Sequence, residues 1–116
     1  MSTDPAVIAL VRDLIFASKI TATAAAAGVC VRLVRDPLAL GTQPAPRLIV
    51  DLNLAGAIEA AQAWKRDAGG EVVGFVSHVD TATIDRARAA GVDRVLARSR
   101  FVELLPELLS PQQTKR

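Results

Sequence analysis

Apolar residues along this chain occur in two kinds of segment: short uninterrupted runs, and longer stretches in which they recur at the spacing of a helical turn. The short runs are rich in Val, Ile, Leu and Ala, which is typical of strands buried on both faces of a parallel sheet. The longer stretches are typical of helices that cover such a sheet. Because the two kinds alternate, the pattern predicts an α/β fold.

This alternation predicts five strands and four helices. The strands are expected at residues 6–11, 30–34, 47–51, 71–77 and 92–97, and the helices at residues 14–27, 54–68, 80–90 and 99–109. Gly28 suits the residue after the first helix, where a left-handed backbone is common. Asp80 suits the N-cap of the third helix, and Val79 before it suits a hydrophobic staple. Ser99 is expected to cap the last helix, which Pro106 should bend or split.

The second connection, residues 36–46, contains several prolines and a glycine. It leaves room for a single helical turn around Leu38, because Pro44 and Pro46 then force an extended chain. We therefore expect the second crossover helix to be shortened.

Strands that alternate with helices, with no room for hairpins, form a parallel sheet with right-handed crossovers. The predicted architecture is an α/β three-layer sandwich with a five-stranded parallel sheet. It is expected to form one domain over residues 1–110, followed by a polar tail at residues 111–116.

Composition narrows the classes of function. A chain of 116 residues with 51% hydrophobic residues can bury one core. The formal net charge is +2, and at 3% aromatic content few rings can stack on bases, so nucleic-acid binding is not expected. No signal peptide or membrane-spanning run is visible, which leads us to expect a cytoplasmic protein without membrane contact. The single cysteine, Cys30, lies in an apolar segment and is expected to be a buried thiol.

Polar side chains follow four of the predicted strands at the point where each strand ends. They are Arg12 and Asp13 after the first strand, Asp51 at the end of the third, Ser77 after the fourth and Arg98 after the fifth. Ligands and chemistry collect beyond the carboxyl ends of strands in open α/β sheets. We therefore expect Asp51, Ser77 and Arg98 to converge at one edge of the sheet.

In these positions the chain resembles a receiver domain of the two-component response regulators, over nearly its whole length. The resemblance implies a flavodoxin-like fold with strand order 2-1-3-4-5. It implies that Asp51 is the phospho-acceptor, that Asp13 is the second acid of an acidic pair, and that the Asn53 carbonyl helps to hold Mg²⁺. Ser77 stands where the family has Ser or Thr, and Arg98 where it has Lys. A histidine kinase is then the implied partner, and no enzymatic activity is expected.

Several residues depart from the family's pattern. Arg12 places a cation where the first acid of the pair stands, and we expect it to pair with Asp13 or Asp51 and to weaken the Mg²⁺ site. Arg98 keeps the charge of Lys but has a bulkier, planar head group. Val95 stands where many members carry an aromatic residue that reports phosphorylation, so any switch is expected to stay local.

Two interpretations of function follow, and both remain open. In the first, the chain is a stand-alone receiver in which Asp51 accepts phosphate in an impaired or atypical way. In the second, it is a pseudo-receiver that acts as a protein-interaction module without phosphorylation. A flavin- or cobalamin-binding enzyme of the same fold is a third interpretation. It is disfavoured because the loop at residues 12–16 lacks the Ser, Thr and Gly that cradle a flavin phosphate, and because His78 lacks the context of a cobalamin ligand.

The resemblance also implies a partner or homodimer surface on the family's fourth helix, fifth strand and fifth helix. In this chain these elements correspond to the third predicted helix, the fifth strand and the last helix. They carry Arg86, Arg88, Arg94, Arg100 and Phe101. An acidic partner surface would suit this charge, although a solvated helix face explains it equally well.

Overall fold

Strands and helices alternate along the part of the chain that the structure, a computed structural model, describes: residues 5–77 and 80–109. The strands there are β1 (Val7–Leu10), β2 (Val31–Val34), β3 (Arg47–Asp51), β4 (Glu71–Val76) and β5 (Arg94–Ala97). The helices are α1 (Leu14–Ala27), α2 (Ala57–Ala68), α3 (Thr81–Ala89) and α4 (Arg98–Leu108). None of these helices is long and apolar enough to cross a membrane. The predicted tail at residues 111–116 lies outside the described residues.

The strands form one parallel sheet with the order β2-β1-β3-β4-β5. Ile8 of β1 and Val72 of β4 lie on either side of Leu48, which places β3 at the centre. Leu48, Ile49 and Val50 are fully buried. The parallel sheet and the strand order 2-1-3-4-5 are therefore confirmed.

Helices cover the sheet on both faces. On one face α1 and α4 pack over Ile49 and Phe75. On the other face α2, α3 and the segment that follows β2 pack over Leu48 and Val50. Because successive residues of β3 point to opposite faces and both faces are covered, the strand has no polar alternation. The three-layer sandwich is confirmed.

The first helix begins and ends where the sequence predicts. Asp13 Oδ1 caps α1 by accepting hydrogen bonds from backbone N–H groups of its first turn, including that of Phe16 at 3.2 Å. Gly28 ends the helix in a left-handed conformation, with φ of 72°. Asp80 caps α3, as predicted. Val79, the predicted staple residue, lies outside the described residues.

The second crossover contains only the short 3-10 helix Pro37–Ala39, as expected from its prolines. Leu40 is buried directly after it, and the Gln43 carbonyl accepts a hydrogen bond from Trp64 Nε1 at 2.7 Å. These two contacts hold the connection against α2. An open groove of about 560 Å³, called the α2 groove below, lies between residues 36–42 and α2.

The last helix differs from the prediction at its beginning. It begins at Arg98 with Ala97 in the N-cap position, so Ser99 lies inside the helix and does not cap it. Pro106 lies inside α4, which continues to Leu108 without a split, and the alternative of a bend stays a prediction. Proline removes one backbone hydrogen bond, and burial of one helix face against the sheet outweighs that loss. The buried leucines on this face are Leu104, Leu105 and Leu108.

Cys30 is exposed, so the predicted buried thiol is wrong. It directly precedes β2, the edge strand next to β1. The neighbouring Val29 packs into the core instead, and adjacent residues of an extended chain point in opposite directions. The apolar run around Cys30 therefore predicts the strand but not the direction of each side chain.

Candidate functional site

The predicted site residues lie at the edge where all the parallel strands end, called the carboxyl edge below. Asp51 is the last residue of β3, Ser77 follows β4, and Arg98 comes directly after β5. Asp13 stands between β1 and α1. Because the strands run in one direction, these positions share one edge, and the predicted placement is confirmed. The chemical roles of these residues stay predictions.

Asp51 is fixed by backbone hydrogen bonds on both sides. Its Oδ1 accepts a hydrogen bond from the Asn53 N–H at 3.0 Å, and its carbonyl accepts one from the Leu54 N–H at 3.2 Å. Leu52 is buried, and its N–H donates to the Phe75 carbonyl at 3.0 Å. Pairing between β3 and β4 thus continues past Asp51 and holds the carboxylate at the carboxyl edge.

The surroundings of Asp51 disfavour its charge. Partial burial raises the pKa of Asp51, and the Asn53 N–H and the positive charge of Arg98 oppose that rise. The nearby Asp13 carboxylate raises the pKa of Asp51 further, and the net effect is a raised pKa. A neutral side chain at this position would therefore relieve an unfavourable interaction.

Asp51→Asn is expected to stabilise the protein at neutral pH by up to about 1 kcal/mol, a modest gain because the carboxylate is partly exposed. The variant keeps an acceptor for the Asn53 N–H and loses the charge. Because the pKa of Asp51 is raised by folding, the penalty exists at neutral pH and disappears below the pKa of the unfolded chain. Urea unfolding at neutral and acidic pH measures the gain in the free energy of unfolding, with Asp85→Asn in α3 as the control. A gain that persists unchanged in acid would contradict this explanation.

The side chain of Asn53 joins the loops that follow β3 and β4. Its Oδ1 accepts a hydrogen bond from the Ser77 N–H at 2.6 Å. The sequence prediction gave a role only to the Asn53 carbonyl, and no local pattern indicates this contact across 24 positions. The bond fixes the Ser77 backbone beside the loop that carries Asp51.

Arg98 lies over the beginning of α1. Its Nη2 is 3.5 Å from Asp13 Oδ2, and its guanidinium carbon is 4.5 Å from the centroid of the Phe16 ring. Phe16 was not predicted as a site residue. Its helical spacing with other apolar residues indicates only a place in the core. The structure places it both in the core and beneath the cation of the site.

Arg12 points away from both carboxylates. Its Nε donates to the Arg35 carbonyl at 3.3 Å, and its side chain lines the α2 groove. No ion pair joins Arg12 to Asp13 or Asp51 in residues 5–77 and 80–109. The expected pairing is therefore wrong. Val11 packs into the core beneath α1 and α4, so the alternation of an extended chain turns Arg12 toward the opposite face.

The oxygen ligands at the carboxyl edge suit Mg²⁺ in kind. This ion usually takes one or two carboxylates and keeps several waters. Asp13 and Asp51 supply two carboxylates, and the Asn53 carbonyl belongs to the same loop as Asp51. Both oxygens of Asp13 already have partners, the N–H groups of α1 and the Arg98 guanidinium. No group of three or more His, Cys, Asp or Glu side chains that could hold a metal occurs in the described part of the chain.

The predicted partner surface carries less free charge than its sequence suggests. Two of its arginines form ion pairs at 3.0 Å, Arg86 with Glu59 and Arg100 with Glu103. Arg88 and Arg94 are exposed. Phe101 is fully buried, so its expected place on this surface is wrong. It stacks on Phe75 in the core, with ring centroids 4.5 Å apart.

Comparison of the sequence with known families finds no match. No protein-family model matches the chain. No curated protein matches it significantly either.

The structure, in contrast, is similar to solved response regulators. The phosphorylated cyanobacterial phytochrome response regulator RcpA matches with a TM-score of 0.73 and 16% identity, over 92% of this chain and 89% of that chain. A Burkholderia pseudomallei response regulator with a phosphorylated aspartic acid, calcium ion and citrate matches with a TM-score of 0.75 and 19% identity, over 96% and 68%. The Mn²⁺-bound form of the response regulator Rcp1 matches with a TM-score of 0.74 and 14% identity, over 97% and 99%. The chain therefore has the flavodoxin-like fold of response-regulator receiver domains.

Proposed function

We propose that this chain is a receiver-like signalling module of the two-component type, in which Asp51 accepts a phosphoryl group. The observation that carries the proposal is the place of Asp51 at the end of the central strand, with Asp13, Ser77 and Arg98 on the same edge. A histidine kinase is the proposed donor, and the proposed place of action is the cytoplasm.

Each residue of this group has a separate part in the proposed transfer. An Asp51 oxygen attacks phosphorus and forms a P–O bond, while the P–N bond of the phosphohistidine breaks and the imidazole leaves with its electron pair. Arg98 and the Ser77 hydroxyl stabilise charge on the phosphoryl oxygens. Asp13, Asp51 and the Asn53 carbonyl would hold Mg²⁺, which neutralises phosphoryl charge when bound. The phosphorylated aspartic acid and the metal ions of the similar structures support this assignment.

Phosphorylation is proposed to be impaired, and the structure suggests a different cause from the sequence. Arg12 donates a hydrogen bond to the Arg35 backbone carbonyl and points away from the carboxylates. Arg98 instead pairs with Asp13, a carboxylate that the metal ion needs. The Arg98 cation therefore competes with Mg²⁺ for Asp13.

Arg98→Ala is expected to tighten Mg²⁺ binding by about twofold to fivefold, the range for removing a competing charge from a partly exposed pair. Arg12→Ala, a matched loss of an arginine from the same edge, is expected to leave the affinity nearly unchanged. Asp13→Asn should abolish binding at the site. A Mg²⁺ titration followed by amide shifts at Asp13, Asp51 and Asn53 measures all three variants.

Two outcomes of this titration would count against the proposal. If Arg12→Ala tightens binding as much as Arg98→Ala, Arg12 competes for the site in solution and the cause of impairment given above is wrong. If Mg²⁺ shifts none of the site amides in any variant, the chain has no Mg²⁺ site at this edge, and a phospho-accepting role for Asp51 loses its support. The second candidate below is then favoured.

A pseudo-receiver that binds partners without phosphorylation is the second candidate function. The observation that favours it is that both oxygens of Asp13 are engaged within the resting protein. Output would come from the face of α3, β5 and α4, where Arg88 and Arg94 are exposed and could meet an acidic partner or a second copy of the chain. In that case a phosphodonor would leave partner binding unchanged.

A further inference from the structure

The guanidinium of Arg98 makes two contacts of different kinds at the carboxyl edge. It stacks over the Phe16 ring, 4.5 Å from its centroid, and it faces Asp13 Oδ2 at 3.5 Å. The Arg98 and Asp13 side chains are 43% and 47% exposed, and an ion pair so long and so exposed orients a flexible arginine only weakly. The ring contributes a cation–π attraction that does not depend on that pair. Phe16 therefore supports the guanidinium even when Asp13 does not.

Phe16 itself cannot easily move. It is 3% exposed, and its ring lies 4.9 Å from Phe75 and 5.5 Å from Phe101, centroid to centroid. Phe75 stands opposite Asp51 in the pairing of β3 and β4. The surface beneath the guanidinium is thus built on the strand that flanks Asp51.

This arrangement gives a physical reason for arginine in place of lysine. A guanidinium is planar, so its face can rest on a ring while its N–H donors point outward in the plane. A lysine ammonium has no such face and is held mainly by its charge partner. Arg98 can therefore change partners among the neighbouring oxygens without leaving the ring.

We propose that Phe16 is a positioning residue: its ring holds the Arg98 guanidinium at the carboxyl edge, from which Arg98 can exchange Asp13 for a phosphoryl group on Asp51. This inference rests on the proposed function, because it adds a residue to the same site. Phe16 touches neither phosphoryl group nor metal ion. It acts only through Arg98.

The test is a double-mutant cycle of Phe16→Leu and Arg98→Ala, with Phe16→Trp as the conservative variant. The probe is beryllofluoride with Mg²⁺, which mimics a phosphoryl group on a carboxylate. Phe16→Leu is expected to weaken probe affinity by about threefold to tenfold, and to have no further effect once Arg98 is removed. Phe16→Trp should restore the affinity. The side-chain NMR signals of Arg98 should show an upfield ring-current shift that Phe16→Leu abolishes and Phe16→Trp keeps.

Each result bears on one of the two proposals. An equal loss of affinity with and without Arg98 would mean that Phe16 only supports the core, and the positioning role would be overturned. If the unmodified protein does not bind the probe, the proposed function fails, and the Arg98 signals still test the placement. Absence of the ring-current shift in the unmodified protein would show that Arg98 does not lie over the Phe16 ring and would overturn the positioning role. If Phe16→Leu does not fold, Phe16→Met replaces it, since that variant fills a similar volume and removes the ring. The same threefold to tenfold loss is then expected, and full affinity would contradict the role of the ring.

Discussion

Asp51→Asn is expected to abolish covalent phosphoryl uptake from a small phosphodonor such as acetyl phosphate. The amide cannot form an acyl phosphate, and it keeps the hydrogen bond from the Asn53 N–H, so the local structure should survive. Intact-mass measurement after incubation with donor and Mg²⁺ detects the added phosphoryl group. Asp85→Asn removes a carboxylate of α3 away from the carboxyl edge and should react as the unmodified protein does.

Two results of this experiment would contradict the assignment of Asp51. If Asp51→Asn still gains a phosphoryl group to the same extent, another side chain is the acceptor. If the unmodified protein gains none even at high Mg²⁺ concentration, the phosphorylation-independent module becomes the better account. Slow uptake by the unmodified protein that becomes faster as the Mg²⁺ concentration is raised would match the impairment proposed here.

Gly70→Ala is expected to destabilise the protein by about 2–3 kcal/mol. A Cβ at this position would lie 2.5 Å from the Ala45 carbonyl oxygen, 2.5 Å from Trp64 Cη2 and 2.9 Å from the Pro46 carbonyl oxygen. Two of these atoms belong to the backbone, and the third to a fully buried ring. None of them can yield without disturbing the core, because protein interiors are close-packed.

Urea unfolding measures this loss, with Gly69→Asn as the matched control. Gly69 has φ of 79°, and open space surrounds its Cβ position. Asn tolerates a left-handed backbone better than most residues, so this control should cost less than about 1 kcal/mol. If Gly70→Ala lowers the free energy of unfolding no more than Gly69→Asn does, the second crossover moves aside more easily than its contacts imply.

The elements with strong local patterns could be predicted from the sequence alone. The uninterrupted run Leu48, Ile49 and Val50 indicates a strand covered on both faces, which is the central strand β3. The apolar spacing before Gly28 gives the bounds of α1 that the structure shows. The order of the strands depends on which segments meet in space, and it was predicted only through the resemblance to receiver domains.

The contacts that build the site could not be predicted from local pattern. Arg98 and Asp13 stand 85 positions apart, and Asn53 and Ser77 stand 24 apart. The direction of Arg12 depends on which face of the sheet its neighbour Val11 occupies, a tertiary fact that the charge at residue 12 does not reveal. A rule about residue types can place such side chains at the same edge, but their pairing is decided by packing.

A crossover helix normally both connects two strands and covers one face of the sheet. In this chain most of the second crossover only connects β2 to β3, and the covering contacts come from buried Leu40 and the hydrogen bond from Trp64 to the Gln43 carbonyl. Leu38, which lines the α2 groove, is 92% exposed and therefore contributes little to the core. Substitutions at exposed positions of this stretch should therefore leave the carboxyl edge around Asp51 unchanged, because a different set of contacts holds that edge.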